Sequence, residues 1–425
     1  MSSISLQGLR HVYANGHVGL SDVDLDVHDG EFLALLGPSG SGKTTLLRCI
    51  AGFVQPEGGT LCLGGTLVAG PGAWVPPEKR NLGMVFQDHA IWPHWSVARN
   101  VGYPLRLAGV PRKAAETRVR SVLGLVGLDG LGERAPAALS GGQRQRVALA
   151  RAIVGAPQAL LLDEALSSLD EPLRARLRLD LKALTSEQGL TSVHVTHDRA
   201  EALALADRVA VLRAGRIEQV GTPEELVRNP ASAFVASFVS DAVLLDGTWA
   251  EGRLEVAEGI SIPGTRLEAG PCLGAGGLGH SGLGHSALAV TAAVSPLDLV
   301  LHPVPHPVQP GLAGSDGRGA GRPRTGVVTS ALYGPHGFDV SVDWQGRTLR
   351  AHVTGWVPKP GDRVLPEVLR AHVFAADESG TVSGSAGDTG GDSGDAGDAA
   401  GLAGSAGSAG SAGEAAAGRR TLVTA

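Results

Sequence analysis

From Ile4 to about Phe238 short apolar runs alternate with longer stretches of helical character, the pattern of an α/β domain built on a mostly parallel sheet. Phe32 to Leu36 leads into a glycine-rich turn, and Ala159 to Leu162 ends in two acids. Ser192 to Val195 ends in Thr-His-Asp, and Arg208 to Leu212 enters a turn at Ala214-Gly215. Ligands of such sheets sit at the carboxyl ends of the strands, so these endings are where chemistry is expected. From about Asp241 to Ala376 the pattern changes to short alternating runs between glycine and proline turns: Gly326 to Ser330, Phe338 to Val342, Thr348 to Val353 and Arg363 to Val368. That pattern predicts a small all-β domain. From Asp377 the chain is Gly, Ser, Ala and Asp, with three Gly-Ser-Ala units from Gly404, and is too poor in apolar residues to fold. Three parts are predicted: 1–240, 241–376 and a disordered tail, 377–425.

Composition sharpens this division. The 425 residues include 62 glycines and only 4% aromatics, as a glycine-rich tail and insertions would produce. The net charge of -6 is concentrated in the tail, which holds seven acids and two arginines and so carries -5. The body is near neutral, which argues against nucleic acid or anionic lipid as the main partner. Three cysteines, Cys49, Cys62 and Cys272, form no disulfide framework or paired metal spacing and fit a reducing compartment. No basic segment precedes an apolar one after Met1, and runs such as Ala159 to Leu162 are far shorter than the roughly 20 residues of a membrane helix. A cytoplasmic location is expected. Within the β part, Gly277-Leu-Gly-His280-Ser and Gly282-Leu-Gly-His285-Ser repeat in tandem. Two histidines without acidic or thiol company read as a slipped duplication rather than a metal site. Val304 to Arg324 reads as a second insertion.

Gly37-Pro-Ser39-Gly40-Ser-Gly42-Lys43-Thr44 fits the eight-residue P-loop spacing, after an apolar strand and before the helical stretch Leu46 to Ala51. Glycines let backbone N–H groups converge on phosphate oxygens, and the helix adds its positive N-terminus. Lys43 then reaches the β- and γ-phosphates and the Thr44 hydroxyl can ligate magnesium. Leu160-Leu161-Leu162-Asp163-Glu164 places adjacent carboxylates at a strand end. Read blandly, the two acids cap the following helix. Beside a P-loop, Asp163 is the expected magnesium partner and Glu164 the general base for an attacking water.

P-loops occur in kinases, GTPases, helicases and transport ATPases, and a third motif separates these. Leu139-Ser140-Gly141-Gly142-Gln143, followed by Arg144-Gln-Arg146-Val-Ala-Leu-Ala-Arg151, resembles the signature sequence of ABC-type ATPases. Its local physics is a serine and two glycines at a helix N-terminus, a second anion site without a lysine. The resemblance covers residues 4 to about 240 and implies the cassette fold: a RecA-like α/β core, an antiparallel β subdomain and a helical subdomain. It also implies roles for single residues. Gln87 matches the Q-loop glutamine, expected at magnesium and water, and His197 matches the switch histidine, expected at the γ-phosphate beside Glu164. Tyr13 stands where an aromatic ring stacks on adenine, and Thr45 joins the nucleotide contacts. Ser168-Leu169-Asp170 matches the D-loop. ATP and Mg2+ are the implied cofactors, with Thr44, Gln87 and Asp163 as metal ligands. Two cassettes are expected to pair head to tail, each ATP lying between the P-loop of one and Ser140 to Gln143 of the other.

The same resemblance implies transport. The chain has one cassette, no long coiled coil, and an appended β part. The segment Asp88 to Val101, with Trp92 and Trp95, resembles the stretch of bacterial importer ATPases on which a permease docks. The β part, 241–376, with Arg216 to Glu225 and Pro230 to Val235 leading into it, resembles the TOBE-type, OB-like regulatory domain of importers for ferric iron, polyamines, oxyanions or sugars. The implied partners are a paired cassette, transmembrane permease subunits and, indirectly, an extracytoplasmic solute-binding protein; iron or polyamine is the expected cargo. A soluble ATP-gated switch without transport is the alternative. Two departures stand out: Ser295-Pro296-Leu297-Asp298 where many relatives have Arg-Pro-Glu, and Ala165 where the family usually has proline.

Overall fold

The computed structural model describes residues 3–166, 171–250, 253–257, 260–263, 267–269, 288–304 and 325–376. The tandem histidines His280 and His285, the D-loop residues Ser168 to Asp170, Cys272 and the 377–425 tail lie outside these residues. The chain opens with β1 (Ile4–Val12), β2 (Val18–Val27), β3 (Phe32–Leu36) and α1 (Lys43–Ala51). Next come β4 (Gly58–Leu63), β5 (Thr66–Gly70), β6 (Ala73–Trp74), β7 (Leu82–Val85), α2 (Val97–Leu107), α3 (Arg112–Leu125) and α4 (Gly141–Ile153). β8 (Ala159–Asp163), α5 (Glu171–Glu187), β9 (Thr191–Val195), α6 (Arg199–Leu205), β10 (Arg208–Arg213), β11 (Arg216–Gly221), α7 (Pro223–Arg228) and α8 (Ala233–Ser240) complete this part.

Two sheets arise from two sequence patterns. β1 and β2 alternate buried and exposed positions and join an antiparallel sheet ordered β2-β1-β4-β5-β6. β3, β8 and β9 are buried at every position and form the centre of a second sheet, ordered β11-β10-β3-β9-β8-β7. In it β10, β3, β9, β8 and β7 run parallel, and β11 closes the edge antiparallel to β10. Successive side chains of a strand point to opposite faces, so each central strand feeds two cores. Phe32, Ala34 and Leu36 join Leu160, Leu162, Val209 and Val211 beneath the helical layer. Leu33 and Leu35 join Leu161, Val193, Ala210 and Leu212 against α1 and the antiparallel sheet. Because the five central strands are parallel, their carboxyl ends share one edge.

Beyond α8 follow β12 (Val243–Ala250), β13 (Arg253–Ala257), β14 (Ile260–Pro263), β15 (Leu267–Ala269), β16 (Leu288–Val294) and β17 (Leu299–Pro303). β18 (Gly326–Gly334), β19 (Gly337–Trp344), β20 (Arg347–Val353), β21 (Arg363–Val368) and β22 (Ala371–Ala375) end the described chain. They form sheets ordered β14-β13-β12-β16-β22-β15 and β17-β21-β18-β19-β20, which share a core including Trp249, Val290, Val342 and Val364. The run expected at Gly326 to Ser330 extends to Gly334, because β18 continues into a hairpin with β19 through exposed Leu332 and Tyr333. A four-residue cluster of Ala236, Ala242, Ala293 and Phe374 joins α8 to the β part. No helix among the described residues is long and apolar enough to cross a membrane.

Candidate functional site

The turn between β3 and α1 needs glycine where the backbone is crowded. A Cβ on Gly37 would stand 2.3 Å from the Leu212 carbonyl oxygen, and Gly42 adopts φ 105°, with Gly19 O only 2.5 Å from any Cβ placed there. Gly42 is the N-cap of α1 and offers no side chain to it, so the first N–H groups of α1 are left to another acceptor. Lys43 is buried and folded back over the turn, its Nζ donating to Gly37 O at 2.8 Å and Pro38 O at 2.9 Å. Burial lowers its pKa from the ordinary lysine value, opposed by the negative charge of Glu164. Ser39 and Gly40 are exposed at the rim, while Thr44 and Thr45 lie in the first turn of α1.

Asp163 ends β8 as a buried carboxyl, and burial raises its pKa above the usual carboxylate value. Arg48 and His194 pull it down, while Glu164 pushes it further up. Glu164 sits at φ 46°, a left-handed conformation that costs a non-glycine residue about 1–2 kcal/mol. Its N–H donates to Val195 O at 3.0 Å, which carries the pairing of β8 and β9 one residue past the strand end. The carboxylate then stands 3.5 Å from His197 Nδ1. The structure thus brings Lys43, Asp163, Glu164 and His197 to the common strand edge. Gln87 follows β7 at the same edge and is exposed.

Ser140 caps α4 with a full capping box: its N–H donates to Gln143 Oε1 at 3.0 Å, and the Gln143 N–H donates to Ser140 Oγ at 3.3 Å. Gly141 and Gly142 begin the helix behind it. The Tyr13 hydroxyl is hydrogen-bonded to Thr45 Oγ1 at 2.8 Å, with His11 edge-on at 4.7 Å and His17 near parallel at 6.2 Å between ring centres.

Several residues here carry no mark in the sequence. Glu201, buried on α6, accepts from Thr196 Oγ1 at 2.7 Å, and the Asp198 N–H donates to the same hydroxyl at 3.0 Å, so both neighbours of His197 are braced. His194 Nε2 lies 3.1 Å from Glu201 Oε1, at ion-pair distance without hydrogen-bond alignment. Burial alone would raise Glu201; His194, Thr196 and Arg178 outweigh it and hold the carboxyl below its ordinary range. Arg151, in the last turn of α4, reaches the carbonyls behind Gln87. Trp92, Trp95 and Tyr103 form one aromatic cluster, with ring centres 4.6, 4.7 and 5.5 Å apart. Trp92 and Tyr103 also line a groove of about 410 Å3 together with Phe53, Phe86, Pro104 and Leu107.

A sequence profile of the family described as ABC transporter matches residues 20–167. The chain is 51% identical over 220 residues to the trehalose/maltose import ATP-binding protein of Thermococcus litoralis, covering 51% of this chain and 59% of that one. It is 46% identical over 266 residues to the spermidine/putrescine import ATP-binding protein of Oleidesulfovibrio alaskensis, covering 61% and 70%. The chain belongs to the ABC transporter ATP-binding family. An sn-glycerol-3-phosphate import ATP-binding protein of Rhizobium johnstonii is 47% identical over 250 residues, covering 58% of this chain and 66% of that relative. The matches therefore span about three fifths to seven tenths of the length of these ABC relatives. The cargoes for which these relatives are named differ, while their identities to this chain, 51%, 46% and 47%, are close to one another.

Proposed function

We propose that this chain binds and hydrolyses ATP and energises an importer. The observation that carries the reading is the meeting of Lys43, Asp163, Glu164 and His197 at the carboxyl edge of one parallel sheet, with Glu164 3.5 Å from His197 and electrically coupled to Lys43 and Asp163. On this reading the glycine turn from Gly37 to Gly42 and the open N-terminus of α1 cradle the phosphates. Lys43 leaves the Gly37 and Pro38 carbonyls for phosphate oxygens. Glu164 takes the proton of the attacking water, and His197 orients that water and holds the γ-phosphate. Tyr13 and Thr45 border the adenine side.

The residues also suit magnesium. Burial raises the Asp163 carboxyl, and the adjacent Glu164 adds to the rise against Arg48 and His194, while the Thr44 hydroxyl and Gln87 amide add oxygen donors of the kind magnesium takes. Magnesium would neutralise charge on the β- and γ-phosphates.

Ser140 to Gln143 supply a second anion site at the start of α4. We infer that it meets the nucleotide of a second cassette, so that turnover requires a pair of chains. The aromatic cluster and its groove suit a permease segment at the cytoplasmic face of the membrane, with a solute-binding protein engaged through the permease. We assign the three parts as cassette (1–240), TOBE-type β domain (241–376) and tail (377–425). For cargo, spermidine/putrescine, sugar and glycerol phosphate importers are all represented among the relatives named above, and polyamine is the part of the iron-or-polyamine expectation that finds a counterpart there. None of the three is named for iron.

The test is Glu164→Gln. Turnover should fall by roughly a hundredfold or more, the usual scale for losing a general base, while ATP holds the variant as a dimer visible by size. Wild-type-like turnover removes Glu164 as base. Co-purification of this variant from gently solubilised source membranes should bring a permease with it. Purely soluble partners would favour the ATP-gated switch instead. Lys43→Ala should weaken ATP affinity about tenfold or more.

A further inference from the structure

We propose that Arg151 is a positioning residue that ties the helix bearing Ser140 to Gln143 to the loop behind Gln87, by holding His89 and Ala90 in a backbone conformation that neither keeps unaided. The inference rests on the ATP-hydrolysing reading above.

His89 and Ala90 stand at φ 60° and 47°, two consecutive non-glycine residues in the left-handed region. Such a conformation is disfavoured by roughly tenfold or more in population for each residue. The turn is tight: the His89 N–H donates to Phe86 O at 2.9 Å and the Ala90 N–H to Asp88 O at 2.6 Å. Nothing local compensates through the His89 ring, whose Nδ1 is buried without a hydrogen-bond partner. The hold comes from outside the loop. Arg151 Nη1 donates to Ala90 O at 2.6 Å, and Nη2 to His89 O at 2.8 Å.

Arg151 is 8% exposed, and among the described residues it forms no ion pair. Its guanidinium centre also lies 5.2 Å from the Trp92 ring. A buried cation without a carboxylate is costly unless its donors are well used, and here both terminal nitrogens are directed at the two strained carbonyls. The planar fork reaches two adjacent carbonyls at once, which one ammonium on a flexible stem does less well. α4 is a continuous helix from Gly141 to Ile153, roughly 20 Å long. Movement at its Ser140 end is thereby carried to the residues that follow Gln87, and the reverse.

A merely structural arginine and a positioning arginine predict different results. The full-length chain, Arg151→Lys, Arg151→Met, Ala90→Gly and the double variant Arg151→Met/Ala90→Gly would be compared for kcat, KM, affinity for a fluorescent ATP analogue, and amide exchange over residues 86–95. Arg151→Met should lower kcat about tenfold with analogue affinity within about twofold, because the P-loop contacts are untouched. Arg151→Lys should fall between it and wild type. Glycine at position 90 removes the left-handed penalty there, so the double variant should recover roughly threefold or more in kcat. Amides of residues 88–92 should exchange faster in Arg151→Met while those of α1 do not change. Unchanged kcat, a parallel loss of analogue affinity, or no recovery in a folded double variant would each overturn the proposal. Should the unmodified chain neither bind nor turn over ATP, the functional reading falls, and exchange alone decides: unaltered protection at 88–92 in Arg151→Met then sinks the tie itself.

Discussion

Replacing Arg80 with methionine should cost the cassette about 3 kcal/mol. Arg80 is 2% exposed and donates to four carbonyls: Val75 O at 2.7 Å, Cys49 O at 2.7 Å, Ile50 O at 2.9 Å and Val68 O at 3.4 Å. It therefore joins the C-terminus of α1 to the antiparallel sheet just before β7 leads to Gln87. Three of these bonds are short, and a bond from a charged donor contributes about 1.5–3 kcal/mol. Against their loss stands the release of a buried cation whose partners are carbonyls and the Trp74 ring, 4.7 Å from the guanidinium centre, with no carboxylate, a relief of several kcal/mol. The cation also sits at the negative end of α1, worth about 0.3–1 kcal/mol. Three such bonds come to about 4.5–9 kcal/mol, and the desolvation relief brings the net loss down to about 3 kcal/mol. Gly52 supplies an internal check. It adopts φ 88°, and a Cβ there would stand 2.6 Å from Arg80 Nε. Gly52→Ala thus carries both a left-handed penalty and a clash, the clash alone on the order of 1 kcal/mol or more. In the Arg80→Met background only the backbone penalty should survive. Urea unfolding of the four chains followed by circular dichroism closes the cycle. A cost below about 1 kcal/mol for Arg80→Met, or strictly additive losses, would refute the account.

Two further outcomes follow from buried groups. Burial pushes the Cys49 thiol up to about 12, opposed only by Arg80, so it holds almost no thiolate at neutral pH. Iodoacetamide should leave Cys49 unmodified in the folded chain, and rapid labelling, read by peptide mass, would contradict its packing. Glu201 is held below its ordinary pKa, so its contribution to stability is present above the unfolded value near 4.3 and is lost as pH falls through the folded one. Glu201→Gln should therefore destabilise the chain at neutral pH and flatten the acid limb of a stability profile as pH falls below the unfolded value; an unaltered limb would remove the brace around His197 as its origin.

The motifs around Lys43 and Glu164 were legible because each is local. Glycines at fixed offsets, a lysine behind them and two acids after an apolar run describe one turn or one strand end, and the strands expected at Phe32 to Leu36 and Arg363 to Val368 are found with those limits. The turn at Ala214-Gly215 is likewise present, both residues having positive φ. The clamps were not legible. Arg80 and Cys49 are 31 positions apart, and Arg151 and Ala90 are 61 apart. An arginine whose acceptors are carbonyls leaves no complementary residue type to search for. Pairing over long separations was hidden for the same reason: parallel β15 aligns Leu267 with Ala371, a register that no periodicity in either segment announces.

The seam between α8 and the β part is a buried cluster of three alanines and one phenylalanine, with Ala233 and Leu244 packed against it. Hydrophobic stabilisation scales with the apolar area removed from water, so this small seam adds little to the stability of either side. Each side then keeps its own ledger of tolerated change. The β part carries glycine-rich stretches between Leu267 and Leu288 and between Val304 and Gly326 in its sequence, away in the chain from the β8–β9 register that places Glu164 and His197. A substitution in the core of the β part should therefore lower the stability of that part with little effect on the strand edge that carries Glu164 and His197.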